Sequence, residues 1–419
     1  MAEVITNDPI LLDATGQDIL SEMKIHSGYL QMLAEGRRQE IYGSMAQIAA
    51  IVRANTVARN QAIFPIGDQI VMPWKDLDDN AHNTDETAYQ VAWDIVHHGL
   101  VELKDGRTVP GMFLQMHKCS AYGVQFSHQQ AFLNCPDGLA AGTYHLTLGS
   151  SWGSHAVVGK TYQFTLTSAV PAGGRLSGFE GMPDQAPANW RVKSWANPQN
   201  ADPIETVTLS EGDDGTNLGT MPYTIPDSES GLNCMQSVAY GNNRWKTSAI
   251  RQYLNSEGTS WFASQENYDI RPDQYNKYGF MSGFNADFLA AIKPVKIATA
   301  LNTVQGFTDT YEETFDTFFL PSLQQINVNP QLANVEGDVF EYWQEALASS
   351  SYVGTGGSNI FDAFKIPAIN ANSAQNVRLR SANRGNAFNT WNILSSGYVI
   401  DYYFYASSAL RFSPVCVIC

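Results

Sequence analysis

Apolar residues at helical spacing in the first sixty positions predict a long α-helix over residues 17–60. They recur at steps of three and four residues from Ile19 to Val52, with one interruption. A helix of about 40 residues would be about 60 Å long, which is more than one small domain covers. We therefore predict that residues 1–62 form a helical segment for oligomerisation or particle attachment. The alternative is a set of helices folded back on the next domain.

From about Ile63 the pattern changes to short segments in which apolar and polar residues alternate. Residues 109–116, 142–148 and 160–166 follow this alternation and are separated by Gly and Asp, so each is predicted to be a strand. Strands at this spacing are typical of sandwiches and barrels. We predict a β-sandwich-like domain over residues 63–170.

Residues 171–204 are rich in Pro, Gly and Ala, which indicates a linker. Beyond them the pattern mixes short helices with irregular strands, and we predict one further domain over residues 205–419. The whole chain is therefore predicted to be an α+β multidomain protein with a helical start and a β-rich middle.

Three short amphipathic helices are predicted within the last of these domains. They cover residues 247–255, 285–292 and 309–320, where apolar residues recur at helical spacing. Ser248 and Asn285 precede the first two and are suitable N-caps, because their side chains can accept a hydrogen bond from the first turn.

The segment 381–419 is rich in aromatic residues and contains no Lys, Glu, Gln, Met or His. Five of the eight residues from Tyr398 to Tyr405 are aromatic. A half-buried strand alternates apolar and polar side chains, and residues 402–405 do not. Surfaces rich in Tyr, Ser and Asn are typical of binding loops, because Tyr contributes rigid contact area and the others contribute adaptable hydrogen bonds.

Residues 386–410, named here the variable segment, also match one class of randomised codons. An Asn codon ending in a pyrimidine, randomised at its other bases, can encode residues that include Phe, Tyr, Ser, Asp, Ile, Leu, Thr and Ala but not Lys, Glu, Gln, Met or Trp. Every residue of the segment except Trp391 lies in the reachable set. We interpret the segment as randomised positions interleaved with constant ones. Chance combined with an ordinary Tyr-rich strand is the alternative.

Motifs spread over the carboxyl-terminal half match one known family. They are Tyr240-Gly241-Asn242-Asn243-Arg244-Trp245, Phe284-Asn285-Ala286-Asp287-Phe288-Leu289, Glu341-Tyr342-Trp343, Val377-Arg378-Leu379-Arg380-Ser381-Ala382-Asn383-Arg384-Gly385, Trp391-Asn392, Ser395-Ser396-Gly397 and Arg411-Phe412-Ser413-Pro414-Val415-Cys416. With these motifs the chain resembles variable proteins of diversity-generating retroelements from gut phages and prophages. The resemblance covers about residues 205–419 and implies a C-type-lectin-like fold, which is also that of formylglycine-generating enzymes.

The resemblance implies a phage receptor-binding protein of the tail fibre or tail tip. Its diversified face would bind a bacterial cell-surface protein or glycan. Val399 and Ala406 are predicted to point inward. Constant scaffold residues are predicted at Arg380, Arg384, Trp391, Gly397, Phe412 and Pro414, and exposed ligand-binding residues at Phe388, Asn389, Asn392, Leu394, Ser395, Tyr398, Ile400, Asp401, Tyr402, Tyr403, Phe404, Tyr405, Ser408 and Leu410. Arg380 and Arg384 are expected to bond to backbone or acidic partners that hold the loop.

The net charge of -16 argues against nucleic acid and anionic membranes as partners, because such a surface repels both. No apolar run approaches the roughly 18 residues that span a bilayer. The first residues also lack the basic and apolar regions of a secretory signal. We expect a protein made in the bacterial cytoplasm that leaves the cell in the virion tail, with other tail proteins as partners. A homo-oligomer is expected, with a trimer favoured.

Motifs for catalysis and for cofactor binding are lacking. The sequence contains no P-loop, dinucleotide fingerprint, HExxH or GxSxG, so we predict neither enzymatic activity nor a cofactor. Cys416 and Cys419 lack the further ligands that zinc normally requires, so no metal is predicted. Calcium-dependent sugar binding in lectins usually needs Trp-Asn-Asp, and the run from Trp391 to Ile393 lacks the Asp.

Three alternative functions stay open from the sequence. The aromatic face could be a subunit interface of a virion structural or baseplate protein. The chain could also be a variable binding protein displayed on a bacterial surface. A tail-associated glycan hydrolase would need two carboxylates about 5 to 10 Å apart in a cleft.

Overall fold

The described residues form a mixed α+β structure that consists mostly of β-sheets, with few helices. Among them, no helix is long and apolar enough to cross a membrane. The computed structural model describes residues 44–76, 87–135, 138–148, 161–171, 174–177, 204–206, 210–221, 233–238, 241–263, 269–272, 275–303, 307–351, 360–401 and 404–419.

Most described elements of the first half of the chain are strands. The strands predicted at 109–116, 142–148 and 160–166 are confirmed as β3, β6 and β7. The elements are α1 (Met45–Ala54), α2 (Val57–Ile63), β1 (Gln69–Asp76), β2 (Thr87–Glu102), β3 (Thr108–Met116), β4 (Val124–Gln125), β5 (Gln129–Cys135), β6 (Gly142–Leu148), β7 (Thr161–Leu166), β8 (Gly174–Ser177), β9 (Ile204–Thr206), β10 (Ser210–Glu211), β11 (Thr216–Met221) and β12 (Asn233–Val238).

The second half alternates short helices with short strands. The predicted N-caps are confirmed, because the Ser248 and Asn285 side chains accept hydrogen bonds from the first turns of α3 and α4. The elements are α3 (Ala249–Leu254), β13 (Asp269–Ile270), α4 (Ala286–Ala291), β14 (Val295–Ala300), β15 (Tyr311–Asp316), β16 (Phe318–Phe319), α5 (Glu341–Ser349), β17 (Val377–Ala382), β18 (Thr390–Ile393), β19 (Val399–Ile400), β20 (Ala409–Leu410) and β21 (Val415–Ile418).

The helix predicted at 309–320 is wrong, because this segment forms β15 and β16. All six residues of β15 pair with β14, and β16 pairs with β21. Thr314 and Asp316 are buried while Tyr311 is exposed, which gives the segment one inner side. Pairing with distant strands therefore outweighs a weak helical pattern.

The single helix predicted over residues 17–60 is also wrong in its described part, and residues 17–43 lie outside that part. Helix α1 ends at Ala54, Asn55 is extended, and the Thr56 side chain caps α2. Helix α1 packs against α4, β3 and β21, so it folds back on the following structure, which was the alternative prediction. Its buried face consists of Met45, Ile48, Ala49 and Val52.

A five-stranded antiparallel sheet crosses the predicted domain boundary. Its strand order is β1-β2-β3-β21-β16. Residues 112–115 of β3 lie opposite residues 415–418 of β21, so β21 has partners on both edges. Strands from the predicted middle and carboxyl-terminal domains thus share one sheet, and the predicted boundary at residues 171–204 does not separate them.

The aromatic core joins the same two parts of the chain. The ring of Trp93 on β2 lies 5.9 Å from the rings of Phe288 and Phe318 and 6.0 Å from that of Phe284. All four side chains are buried. Tilted aromatic pairs of this kind add to the burial of apolar area, so the predicted middle and last domains share their hydrophobic core as well.

The remaining strands form smaller sheets. One has the order β10-β7-β6-β11, and another has the order β12-β5-β8-β9 with β13 also on β5. Strand β14 pairs with β15, and β4 pairs with β20. Strands β17, β18 and β19 form an antiparallel ladder that contains two short strands of the variable segment.

Candidate ligand-binding surface

The variable segment folds as a strand, a turn, a second strand and a return loop. Residues of β18 pair with β17 on one side and β19 on the other. After β19 the chain returns beside its own start, where Asn389 and Tyr405 form a β-bridge. The segment ends in β20, which pairs with β4. Both its ends are therefore attached to strands from elsewhere in the chain.

Asn243 binds the backbone at the start of the variable segment. Its Nδ2 lies within 2.8–2.9 Å of the carbonyl oxygens of Asn383, Asn386 and Asn389. Its Oδ1 accepts a hydrogen bond of 2.8 Å from Asn302 Nδ2, which orients the amide. Asn243 is fully buried, so these bonds are shielded from water.

Asn386 holds the same stretch of backbone as a hydrogen-bond acceptor, whereas Asn243 is a donor. Its Oδ1 accepts hydrogen bonds from the backbone N–H groups of Phe388 (3.0 Å) and Asn389 (2.7 Å). Nearby, Asn383 Nδ2 donates to Asp401 Oδ2 over 3.0 Å. Partial burial raises the pKa of the Asp401 carboxyl. Two buried amides thus fix this turn, one as donor and one as acceptor.

Arg378 binds the return loop of the variable segment from beneath. Its guanidinium donates to the carbonyl oxygens of Tyr405 (2.9 Å) and Ser408 (2.8 Å), to that of Phe404 (3.4 Å), and to Thr390 Oγ1 (2.7 Å). The residue is fully buried, and burial lowers its pKa to about 9. A buried cation whose acceptors are loop carbonyls has a structural role in holding that loop.

Residues near β4 complete the support. Ser127 N–H donates to the carbonyl of Ala406 (2.9 Å), and Gln125 Nε2 donates to that of Ser407 (2.8 Å). Gly241 has a φ of +75°, and a Cβ there would lie 2.8 Å from the backbone nitrogen of Ser407. Only glycine permits both this conformation and this close approach.

These bonds share one property, which is that they go mostly to main-chain atoms of the variable segment. Asn243, Arg378, Gln125 and Ser127 all lie outside the segment, and their acceptors within it are backbone carbonyls except for Thr390 Oγ1. Backbone carbonyls are present whatever the side chain is. Together with Asn386, these four residues are named here the backbone frame. The backbone frame can hold the main chain of the variable segment while side chains that face outward change.

The structure divides the predicted ligand-binding residues into accessible and buried ones. Val399 and Ala406 are buried, which confirms that they point inward. Tyr402 and Tyr403 lie outside the described residues. Ser395 and Tyr405 are exposed, and the half-buried residues are Phe388, Leu394, Tyr398, Asp401, Phe404 and Ser408.

Four predicted ligand-binding residues are buried, so their predicted exposure is wrong. Asn392 and Ile400 face each other across β18 and β19. Leu410 pairs with Val124, and Asn389 lies at the bridge to the return loop. Each sits in a strand or bridge that another segment covers, a contact that alternation along the sequence does not show.

Two aromatic side chains of the variable segment, the exposed Tyr405 and the half-buried Phe388, form a pair named here the Phe388–Tyr405 patch. The two rings pack edge to face, with centroids 5.8 Å apart. Tyr405 is 42 % exposed. An exposed aromatic ring held against a neighbour loses little side-chain entropy on binding, which suits a contact residue.

The scaffold predictions for Trp391, Gly397, Phe412 and Pro414 agree with the structure. Phe412 and Pro414 are buried, and Trp391 is half-buried against the core. Gly397 has a φ of +86°, and a Cβ there would lie 2.4 Å from the carbonyl oxygen of Phe361. The turn between β18 and β19 therefore requires glycine at this position.

The two predicted scaffold arginines differ from each other. Arg380 is buried and donates to carbonyl oxygens of three residues and to the side chains of Thr299 and Gln325, as expected. Burial lowers its pKa to about 10. Within the part of the chain that the structure describes, the guanidinium of Arg384 bonds to no backbone or acidic group and its Nε is buried without an acceptor, so the prediction for its side chain is wrong.

Asn243 and Arg378 were missed as functional residues, although both lie in motifs that carry the family resemblance. Their partners lie 12 to 146 positions away in the chain.

Within the described ranges, no group of three or more His, Cys, Asp or Glu side chains could hold a metal ion.

Comparison with known proteins gives one match. A protein-family model described as "Domain of unknown function (DUF6273)" matches residues 229–418. No curated protein and no solved structure gives a significant match. The matched range contains the whole variable segment together with Asn243 and Arg378. It excludes β3 and β4, which pair with its strands β21 and β20.

Proposed function

We propose that this chain is a phage receptor-binding protein of the tail fibre or tail tip. Its carboxyl-terminal part is a C-type-lectin-like domain of the kind diversified by retroelements, and it binds a bacterial cell-surface protein or glycan through non-covalent contacts without a cofactor. Other tail proteins would be its partners in the virion.

The observation that supports this proposal is the backbone frame behind the variable segment. Asn243 and Arg378 hold the segment mainly through its carbonyl groups. Substitution of Phe388, Phe404 or Tyr405 leaves these acceptors in place. A surface whose side chains change while its backbone stays fixed can serve many ligands, which is the requirement for a diversified receptor-binding site.

Sequencing of residues 380–419 in a natural population that carries this gene tests the diversification. We expect substitutions to concentrate at the accessible aromatic positions, Phe388, Phe404 and Tyr405 among them. We expect Arg380, Trp391 and Gly397 to stay constant, because Arg380 is bonded to buried carbonyl groups, Trp391 packs against the core and Gly397 permits the turn between β18 and β19. A population in which the variable segment is uniform would contradict diversification and favour a fixed subunit interface.

Replacing the exposed ring of the Phe388–Tyr405 patch tests the binding itself. We expect Tyr405→Ala to weaken binding of the purified full chain to cells of its host bacterium by about thirtyfold, because aromatic hot spots contribute about 2 kcal/mol. Binding of fluorescently labelled protein to the cells, measured by flow cytometry, gives the affinity. If the chain is trimeric, a monovalent cell-surface extract is needed to separate site affinity from avidity.

Tyr311 provides a matched control for this experiment. It is 43 % exposed, close to the 42 % of Tyr405, and it lies on β15 outside the variable segment. We expect Tyr311→Ala to change the affinity less than about twofold. Equal losses in both variants would contradict a role specific to the patch. Unchanged cell binding by Tyr405→Ala with defective virion assembly would favour the subunit-interface alternative.

A further inference from the structure

Among the described arginines of the carboxyl-terminal half, Arg384 is the one whose side chain has no hydrogen-bonding or charged partner. Among the described residues 241–419, it is the one arginine whose guanidinium makes no hydrogen bond, ion pair or ring contact, and its Nε is buried without an acceptor. The others bind Glu312 (Arg244), Asp316 (Arg251), Tyr275 (Arg271), carbonyl groups (Arg378 and Arg380), and Ser120 and Asn370 (Arg411).

The backbone around Arg384 is nevertheless firmly held. Its N–H donates to Gln331 Oε1 over 2.7 Å. Its carbonyl accepts hydrogen bonds from Thr303 N–H (2.9 Å) and Thr303 Oγ1 (2.8 Å). The next N–H, that of Gly385, donates to Asn383 Oδ1 over 2.7 Å. The fold thus fixes the backbone of this residue, while its guanidinium has no partner among the described residues.

An N–H group that is buried without an acceptor is unfavourable, because it loses its hydrogen bond to water and gains none in return. The planar guanidinium matches carboxylate and phosphate groups, which accept two parallel hydrogen bonds from it. The Asp401 carboxylate accepts a hydrogen bond from Asn383, the residue before Arg384, and within the described part of the chain it forms no ion pair with Arg384. Arg384 as a whole is half-buried, so an acceptor from outside the chain would pair with the remaining N–H groups of its guanidinium.

Arg384 also lies just before the variable segment, on the side held by Asn243. It would stay constant while the aromatic positions change. We propose that Arg384 is a constant anchor for an anionic group, a carboxylate or a phosphate, on the cell-surface ligand. The variable aromatic residues would then select among acidic glycans or other acidic surface molecules. This inference rests on the proposed receptor-binding function.

The test compares the full-length chain with Arg384→Gln and Arg384→Lys in the same cell-binding assay. We expect Arg384→Gln to weaken binding at least about tenfold, because it removes a charge-assisted bidentate contact. Arg384→Lys should retain part of the affinity, since lysine keeps the positive charge but cannot donate two parallel hydrogen bonds. The melting temperature should stay unchanged in both, because the guanidinium makes no hydrogen bond or ion pair with the described residues. Arg59→Gln, at an exposed position on α2, is the control.

Small competitors identify the anionic group. Sodium glucuronate and glucose 6-phosphate are compared with glucose at equal ionic strength. Inhibition by glucuronate indicates a carboxylate, and inhibition by glucose 6-phosphate indicates a phosphate. Arg384→Gln that binds cells like the unaltered chain would overturn the anchor. So would weaker binding of Arg384→Gln when neither anion competes better than glucose.

The failure of this inference is distinguishable from failure of the proposed function. If Tyr405→Ala loses cell binding while Arg384→Gln keeps it, receptor binding stands and the anchor is wrong. If the unaltered chain does not bind host cells at all, the receptor-binding proposal itself fails and the anchor fails with it.

Discussion

Asn243→Asp is expected to destroy the ordered structure of the variable segment, while Asn386→Asp is expected to leave it intact. The two side chains are both buried and lie in the same frame, but they act with opposite polarity. Nδ2 of Asn243 faces three carbonyl oxygens, whereas Oδ1 of Asn386 faces two N–H groups. Aspartate offers only acceptors, so it can replace Asn386 but not Asn243.

The expected loss for Asn243→Asp is about 3–5 kcal/mol in the free energy of unfolding, because the buried carboxylate oxygen that replaces Nδ2 would face three carbonyl oxygens. For Asn386→Asp we expect a change of less than about 1 kcal/mol, since the carboxylate accepts both N–H bonds. Chemical denaturation followed by tryptophan fluorescence measures both values. Equal destabilisation by the two substitutions would contradict the assignment of Asn243 as a hydrogen-bond donor and Asn386 as an acceptor.

A fragment of residues 205–419 is expected not to fold, although the sequence pattern predicts it as a domain. Without β3, the central strand β21 loses one of its two partners. Without Trp93, the rings of Phe284, Phe288 and Phe318 lose a buried neighbour. Several unpaired backbone groups and a large core cavity together exceed the about 5–15 kcal/mol that stabilises a typical domain.

A longer fragment, residues 44–419, is the matched control because it retains every described element. We expect it to unfold cooperatively on heating, with near-ultraviolet circular dichroism lost in one step. The fragment 205–419 should lack this signal at all temperatures. A cooperative transition in the short fragment would show that the shared sheet is not needed, and it would restore the predicted domain boundary.

Local signals in the sequence predicted local structure well. Ser248 and Asn285 cap short helices because the cap bond joins residues three positions apart. Val399 and Ala406 point inward, as strand alternation suggested. Each of these features depends on neighbours in the sequence, and such interactions can be inferred from spacing alone.

Features that depend on distant partners could not be predicted in this way. The segment 309–320 has a weak helical pattern but pairs as strands with β14 and β21. Asn392 and Leu410 look accessible in the sequence, yet β19 and β4 cover them. Burial of this kind follows from which strands meet, and a single sequence does not contain that information directly.

Strand β21 follows the variable segment in the chain, and this order has a genetic consequence. A stop codon within residues 386–410 would also remove β21 and leave β3 and β16 without their shared partner. Asn codons that end in a pyrimidine cannot become stop codons by changes at their other bases, because every stop codon ends in a purine. Diversification by that route would therefore never end the chain before β21, the strand that pairs with both β3 and β16. Selection would then act on what each variant binds, and no variants would be lost to truncation.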